Sequence, residues 1–149
     1  MQITLYYYGK IKQRYLTEGI YEYKEKISHF VPLAIKEIKD NPKLLSKEQK
    51  LIKLPIDEKT LSSSLLITLH ERGKNFDSQQ FAAFIQNAHQ RDLTFLIGPP
   101  AGIEDKTIHH AHLTLSLSKM TFNHEHVILI LLEQLYRAYT IINKFPYHK

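Results

Sequence analysis

Leu65-Leu66-Ile67-Thr68-Leu69 and Leu93-Thr94-Phe95-Leu96-Ile97 are two short, nearly continuous apolar runs separated by a segment with helical spacing. Runs of this length suit strands buried on both faces of a parallel sheet, where no polar alternation is required. Between them Phe81, Phe84, Ile85 and Ala88 recur at three- and four-residue steps over Ser78 to His89, with Ser78 as the candidate N-cap. Strand, helix and strand in that order make a βαβ unit, which sets the α/β class.

Upstream, Ile3 to Tyr8 reads as a strand of β-branched and aromatic residues that ends at Gly9. Ile11, Tyr15, Leu16, Ile20, Tyr23 and Ile27 then form one apolar helix face, with Lys12, Arg14, Glu18, Glu22 and Lys26 opposite. A second short strand is expected from Leu33 to Ile38. Asp40 to Ser64 holds Pro42, Pro55 and several lysines and reads as a polar surface excursion, with a helical turn or two over Ser46 to Lys53. Downstream come a Gly-rich turn, a short helix from Glu104 to His110, a strand from Leu113 to Leu117 and a long helix from about His124 to Ile142. The alternation describes one α/β domain over residues 1–149, a mainly parallel sheet with helices on both faces.

Length and composition agree: 149 residues, 43% hydrophobic and 23% charged, fit one globular domain. Zero cysteines exclude disulfides, thiolate nucleophiles, Cys-ligated zinc and iron–sulfur clusters, and fit a reducing compartment. The longest purely apolar run, Val127 to Leu132, falls far short of the ~18 residues of a membrane span. The first residues also lack the apolar core of a signal peptide, so a cytoplasmic protein with no membrane partner is expected. A formal charge of +5 and a pI near 9.3 favour a polyanionic partner such as RNA. His109, His110, His112, His124 and His126 lie close together, but their spacing does not set metal ligands on one helix face. Surface histidines and no metal are therefore expected.

Ligands of open parallel sheets bind beyond the carboxyl ends of the strands. The segments to read for chemistry are thus Leu69 to Gly73, Gly98 to Gly102 and Ser118 to Phe122. The run Leu115-Ser116-Leu117-Ser118-Lys119-Met120-Thr121-Phe122, the run Leu132-Glu133-Gln134-Leu135-Tyr136-Arg137-Ala138 and the terminal Pro146-Tyr147-His148-Lys149 resemble one family. It is the ribosomal RNA large subunit methyltransferase H family, of the SPOUT class. The resemblance runs the length of the chain, through Gly9-Lys10, Thr68-Leu69, Gly73-Lys74 and Ile97-Gly98.

That resemblance implies a fold with a C-terminal trefoil knot, a homodimer and S-adenosylmethionine as methyl donor. It also implies methylation of a pseudouridine at N3 in the 23S rRNA of the ribosome, with no DNA partner. By position it places cofactor contacts on Leu69, Gly98, Leu117, Ser118, Lys119, Met120, Thr121 and Phe122. Gly98 would let the backbone approach a ligand, or is an ordinary turn glycine. Leu69 and Leu117 serve equally as core or as pocket wall, and Ser118 and Thr121 as loop hydroxyls or caps of the final helix. The tail is implied to lie near the neighbouring subunit's cofactor, which makes His148, Tyr147 and Arg137 the candidate catalytic residues. His148 either takes the N3 proton or binds a phosphate; Arg137 either holds a phosphate or pairs with a carboxylate at the dimer interface.

Three positions depart from the family pattern. His70 stands where the family usually has an acid, and Pro99 replaces a glycine and removes a backbone donor. Ile128 replaces an arginine, so RNA contact or catalysis is expected to weaken and restoring the arginine to raise turnover. Asn123 replaces a proline but is a preferred N-cap. The departures motivate an alternative, a non-catalytic homologue that binds RNA or ribosomes; a SPOUT enzyme with another RNA target is a third reading. Val127, Ile130, Leu131, Leu135 and Ala138, extended by Leu129, Leu132 and Tyr136, make the last helix apolar on more than one face. That pattern means either a dimer interface or a deeply buried core helix.

Overall fold

The computed structural model describes residues 1–39, 56–88, 90–99 and 109–149. Along the chain run β1 (Ile3–Tyr8), α1 (Arg14–Ser28), β2 (Leu33–Ile38), α2 (Glu58–Ser63) and β3 (Ser64–Asn75). They are followed by α3 (Ser78–Asn87), β4 (Asp92–Ile97), β5 (Leu113–Ser116) and α4 (His124–Ile142). The strands form one sheet in the order β2-β1-β4-β3-β5, and every neighbouring pair is parallel.

Handedness distributes the connections. β1 to β2 and β3 to β4 step in the same direction across the sheet, so right-handed crossovers put α1 and α3 on one face. β2 to β3 and β4 to β5 step the other way, and the described end of the second reaches the opposite face. Ala111, from the second of these, packs there against Tyr8, Ile38, Leu66 and Leu96. α3 after β3 and Ala111 before β5 thus lie on opposite faces of the sheet, and ligands of such sheets bind beyond the carboxyl ends of the strands.

The larger core joins Ile3, Leu5, Ile67, Leu93, Phe95 and Leu115 of the strands to α1, α3 and α4. Leu96 and Leu66 point the other way, into the smaller cluster, and both faces of β3 and β4 are thereby filled. This is why those two strands read as unbroken apolar runs. Polar side chains inside the sheet are paired: Ser64 Oγ lies 2.8 Å from Thr94 Oγ1, and Thr68 Oγ1 lies 3.1 Å from Thr114 Oγ1.

α4 lies against both α1 and α3, and Ile128, Leu131, Leu132, Leu135 and Ala138 are completely buried. At roughly 1.5–3 kcal/mol for each fully buried large apolar side chain, this helix is central to the core. Of the two readings of its apolarity, core burial accounts for Leu131, Leu132, Leu135 and Ala138 within one chain. Val127, Leu129, Ile130 and Tyr136 remain half-buried.

Other details correct the sequence reading. Asp77, not Ser78, caps α3: its carboxylate accepts from Gln80 N, and Gln80 Oε1 accepts from Asp77 N, a complete capping box. α2 occupies a stretch read as excursion and is capped by Asp57, which accepts from Thr60 N. The helical turn over 46–53 lies outside the described residues, as does most of the Glu104 to His110 helix. The trefoil knot depends on the β4–β5 connection, of which residues 100–108 lie outside them too.

Candidate active site

A cavity of about 530 Å³ opens at the carboxyl ends of β3, β4 and β5. Leu69, Ile97, Leu115, Leu117 and Val127 supply apolar wall; His70, Glu71, Ser118, Thr121, Asn123 and His124 add polar groups. Gly98, Pro99, Met120 and Phe122 complete the described lining. A concave, mostly apolar space of this size with a few convergent polar groups suits a small organic ligand or cofactor.

One wall comes from an interruption in β3. Leu115 of β5 pairs with both Leu69 and Lys74, so residues 70–73 are thrown out of the ladder before pairing resumes at Asn75 and Ser116. Gly73 makes this closure possible, because a Cβ there would stand 2.6 Å from the Thr114 carbonyl oxygen. His70 stabilises the excursion locally: its Nδ1 accepts the Arg72 N–H at 3.0 Å. The imidazole thus does for the turn what an acidic side chain at that position would do, by accepting a backbone hydrogen bond. Glu71 is carried onto the cavity wall.

The opposite wall is the loop between β5 and α4. Ser116 Oγ donates to Ser118 O at 2.8 Å, Ser118 Oγ accepts from Met120 N at 3.0 Å, and Asn75 Nδ2 donates to Ser116 O at 3.2 Å. Asn123 caps α4 by accepting from Glu125 N, so neither Ser118 nor Thr121 serves as that cap. Thr121 Oγ1 instead donates to Glu71 Oε2 at 2.7 Å and ties the two walls together. His124 Nε2 lies 2.7 Å from Tyr8 O, so it donates to the end of β1 and anchors the start of α4 there.

Of the expected cofactor positions, Leu69, Gly98, Leu117, Ser118, Met120, Thr121 and Phe122 line this cavity, whereas exposed Lys119 does not. Pro99 lies on the wall. Ile128 does not: its side chain is 0% exposed in the core, so this position makes no RNA contact and has no room for a charge. Glu71, His124 and Val127 were missed. Their signal was position, just beyond the apolar run that ends at Leu69 or in the first turn of α4.

Arg137, Tyr147 and His148 come together, but elsewhere. Arg137 lies ten residues beyond Val127 on α4, roughly 15 Å along the axis, and none of the three lines the cavity. Arg137 Nη2 donates to Glu133 Oε1 at 2.6 Å, its Nη1 lies 3.2 Å from His148 Nδ1, and its guanidinium sits 4.7 Å from the centre of the Tyr147 ring. Its carboxylate partner is thus one turn away on its own helix. Arginine only donates, so His148 accepts through Nδ1 and its hydrogen sits on Nε2, which leaves the ring as an outward donor. Tyr147 Oη donates to Glu133 Oε1 at 3.0 Å and lies 3.5 Å from Tyr23 Oη. Hydrogen bonding to Tyr23, with burial and Glu133, pushes the phenol well above its ordinary range. It stays protonated at neutral pH.

The parallel sheet, with a cavity at its strand ends walled by a β5–α4 loop, agrees with the class of SPOUT methyltransferases. The family profile described as "Predicted SPOUT methyltransferase" matches residues 1–148, and the chain belongs to that family. Within it, the chain belongs with the proteins named ribosomal RNA large subunit methyltransferase H. It is 42% identical to that of Carboxydothermus hydrogenoformans and 39% identical to that of Clostridium acetobutylicum, each over 100% of both chains. Among solved structures, a probable methylase family protein from Haemophilus influenzae superposes with a TM-score of 0.59 at 12% identity. The match covers 99% of this chain and 70% of that one. TrmJ from Z. mobilis gives 0.52 at 15% identity over 93% and 70%. These two show the fold alone.

Proposed function

We propose that the chain methylates 23S rRNA of the ribosome at N3 of a pseudouridine, using S-adenosylmethionine held in the cavity at the ends of β3, β4 and β5. The carrying observation is that cavity, whose walls fall on the family-matched residues Leu69, Gly98, Leu117, Ser118, Met120, Thr121 and Phe122. Its size and donor set fit the cofactor: apolar wall for a purine, loop and strand-end backbone for its edge, hydroxyls and one carboxylate for the polar parts. When bound, S-adenosylmethionine supplies an electrophilic methyl group on a sulfonium. The chain's part is alignment of donor and acceptor, the main contribution to an in-line displacement. Leu69, Ile97 and Leu117 exclude water, and the Thr121–Glu71 bond holds the two walls at a fixed spacing.

The tail of one chain serves the cavity of a second copy. Within a single chain Arg137, far along α4, and His148, in the tail beside it, do not line the cavity. Half-buried Val127, Ile130 and Tyr136 provide apolar surface for a homodimer. In that arrangement Arg137 and the Nε2–H of His148 present donors to the RNA, to a phosphate or to a base oxygen. Of the two roles expected for His148, its hydrogen bonding favours donation over proton abstraction.

The test is tritiated methyl incorporation into ribosomes lacking the modification, followed by mass spectrometry of the 23S rRNA. Label on one pseudouridine is expected. Binding of S-adenosylmethionine and of ribosomes without transfer would support the binding-module alternative.

A further inference from the structure

Glu71 is the only carboxylate among the described residues that line the cavity, and neither lysine nor arginine is among them. Its partner in the structure is a neutral hydroxyl, Thr121 Oγ1, which occupies Oε2 at 2.7 Å. No ion pair neutralises it among the described residues. The carboxylate thus presents a net negative charge to a cavity of about 530 Å³, a space roughly as wide as the ~8 Å screening length of physiological salt. Such a wall favours whichever ligand carries more positive charge.

From this we infer that Glu71 is a specificity residue that makes the cavity distinguish the methyl donor from the spent cofactor. The inference rests on the cofactor reading above. S-adenosylmethionine carries a sulfonium; when the methyl group leaves, the S–C bonding pair returns to sulfur and S-adenosylhomocysteine is one positive charge poorer. The two molecules otherwise present the same adenosine and amino-acid groups. A carboxylate in the wall therefore stabilises the donor more than the product, through charge rather than shape. The consequence is functional: at equal concentrations the donor displaces the spent cofactor.

An exposed carboxylate acting across solvent on one charge is worth about 1 kcal/mol, or roughly a fivefold difference in affinity. The experiment is calorimetric titration of S-adenosylmethionine and, separately, S-adenosylhomocysteine into wild type, Glu71→Gln and Thr121→Val. Wild type is expected to prefer the donor about fivefold. Glu71→Gln should lose that preference by weakening donor binding while product binding stays within about twofold. Thr121→Val, which cuts the same hydrogen bond but keeps the charge, should retain it. An unchanged ratio in Glu71→Gln overturns the inference. So does a ratio lost equally in Thr121→Val, which would make the latch between the walls the cause. Failure of wild type to bind either molecule would instead overturn the cofactor reading itself.

Discussion

Glu133 Oε1 receives three bonds at once, from Arg137 Nη2 at 2.6 Å, from Arg137 Nε at 3.1 Å and from Tyr147 Oη at 3.0 Å. One carboxylate therefore fixes both the guanidinium on α4 and the C-terminal tail that follows it. Glu133→Gln keeps the shape and removes the charge, and a charge-assisted hydrogen bond is about twice as strong as a neutral one. The tail should loosen. Proteolysis near Phe145 to Lys149 should accelerate, and methyl transfer to ribosomes should fall by roughly tenfold, equivalent to about 1.4 kcal/mol. Calorimetric affinity for S-adenosylmethionine should not change, because none of these groups lines the cavity.

Ile128→Arg tests what burial means at the position where the family resemblance leads one to expect an arginine. With the side chain 0% exposed among Leu131, Leu132 and the strands, the new guanidinium would be buried without a partner. The expected cost is about 3 kcal/mol or more, with a lower Tm and poor soluble yield rather than higher turnover. A stable variant with raised activity would contradict the packing described for α4.

Much of the architecture was legible. β1, β2, β4 and α4 follow from apolar runs and helical spacing because packing, which sets those patterns, also sets the elements. The α4 start at His124 was readable from Asn123, a residue whose side chain competes for backbone donors. The second half of β3 was not, since Glu71, Arg72, Lys74 and Asn75 are polar, and Lys74 and Asn75 pair with β5 only after residues 70–73 have been looped out. That pairing depends on backbone contacts, and Gly73 was its one sequence trace. Seven of the eight positions expected to contact the cofactor line the cavity, all but Lys119, so the cavity was readable by position. Glu71 was not, because an exposed acid after a strand ordinarily means solvent. Ile128 was misread because its partners come from distant parts of the chain.

Gly73→Ala should test the excursion in β3. The added Cβ would sit 2.6 Å from the Thr114 carbonyl oxygen and 2.8 Å from the Leu115 carbonyl carbon, so β3 and β5 must part. Overpacking of this kind costs about 1–3 kcal/mol. Thermal unfolding should shift down accordingly, and cofactor affinity should drop as His70 and Glu71 move with the strand. An unshifted Tm would mean that the two strands do not close there.

His112 ties the start of β5 to β3: its Nδ1 accepts the Leu66 N–H at 3.0 Å. Burial, with Arg91 nearby, lowers the pKa of the ring. A base whose folded pKa lies below its unfolded value of about 6.5 binds fewer protons when folded. Its contribution is complete above about pH 6.5 and is lost as pH falls from there through the lower folded value. His112→Asn keeps an acceptor for the same N–H and does not titrate. Its Tm should therefore decline less than that of wild type on going from about pH 7 to about pH 5.5. Parallel declines would show that His112 does not carry this dependence.

The account stands on the cavity beyond β3, β4 and β5 being the cofactor site, and calorimetry of the Gly98→Val variant tests it most directly. Gly98 lies on the cavity wall, where a β-branched side chain is expected to take ligand space. Wild type should bind S-adenosylmethionine, with S-adenosylhomocysteine competing, and a folded Gly98→Val protein should show no measurable heat of binding. Undiminished affinity in that folded variant would contradict the account and place the cofactor elsewhere.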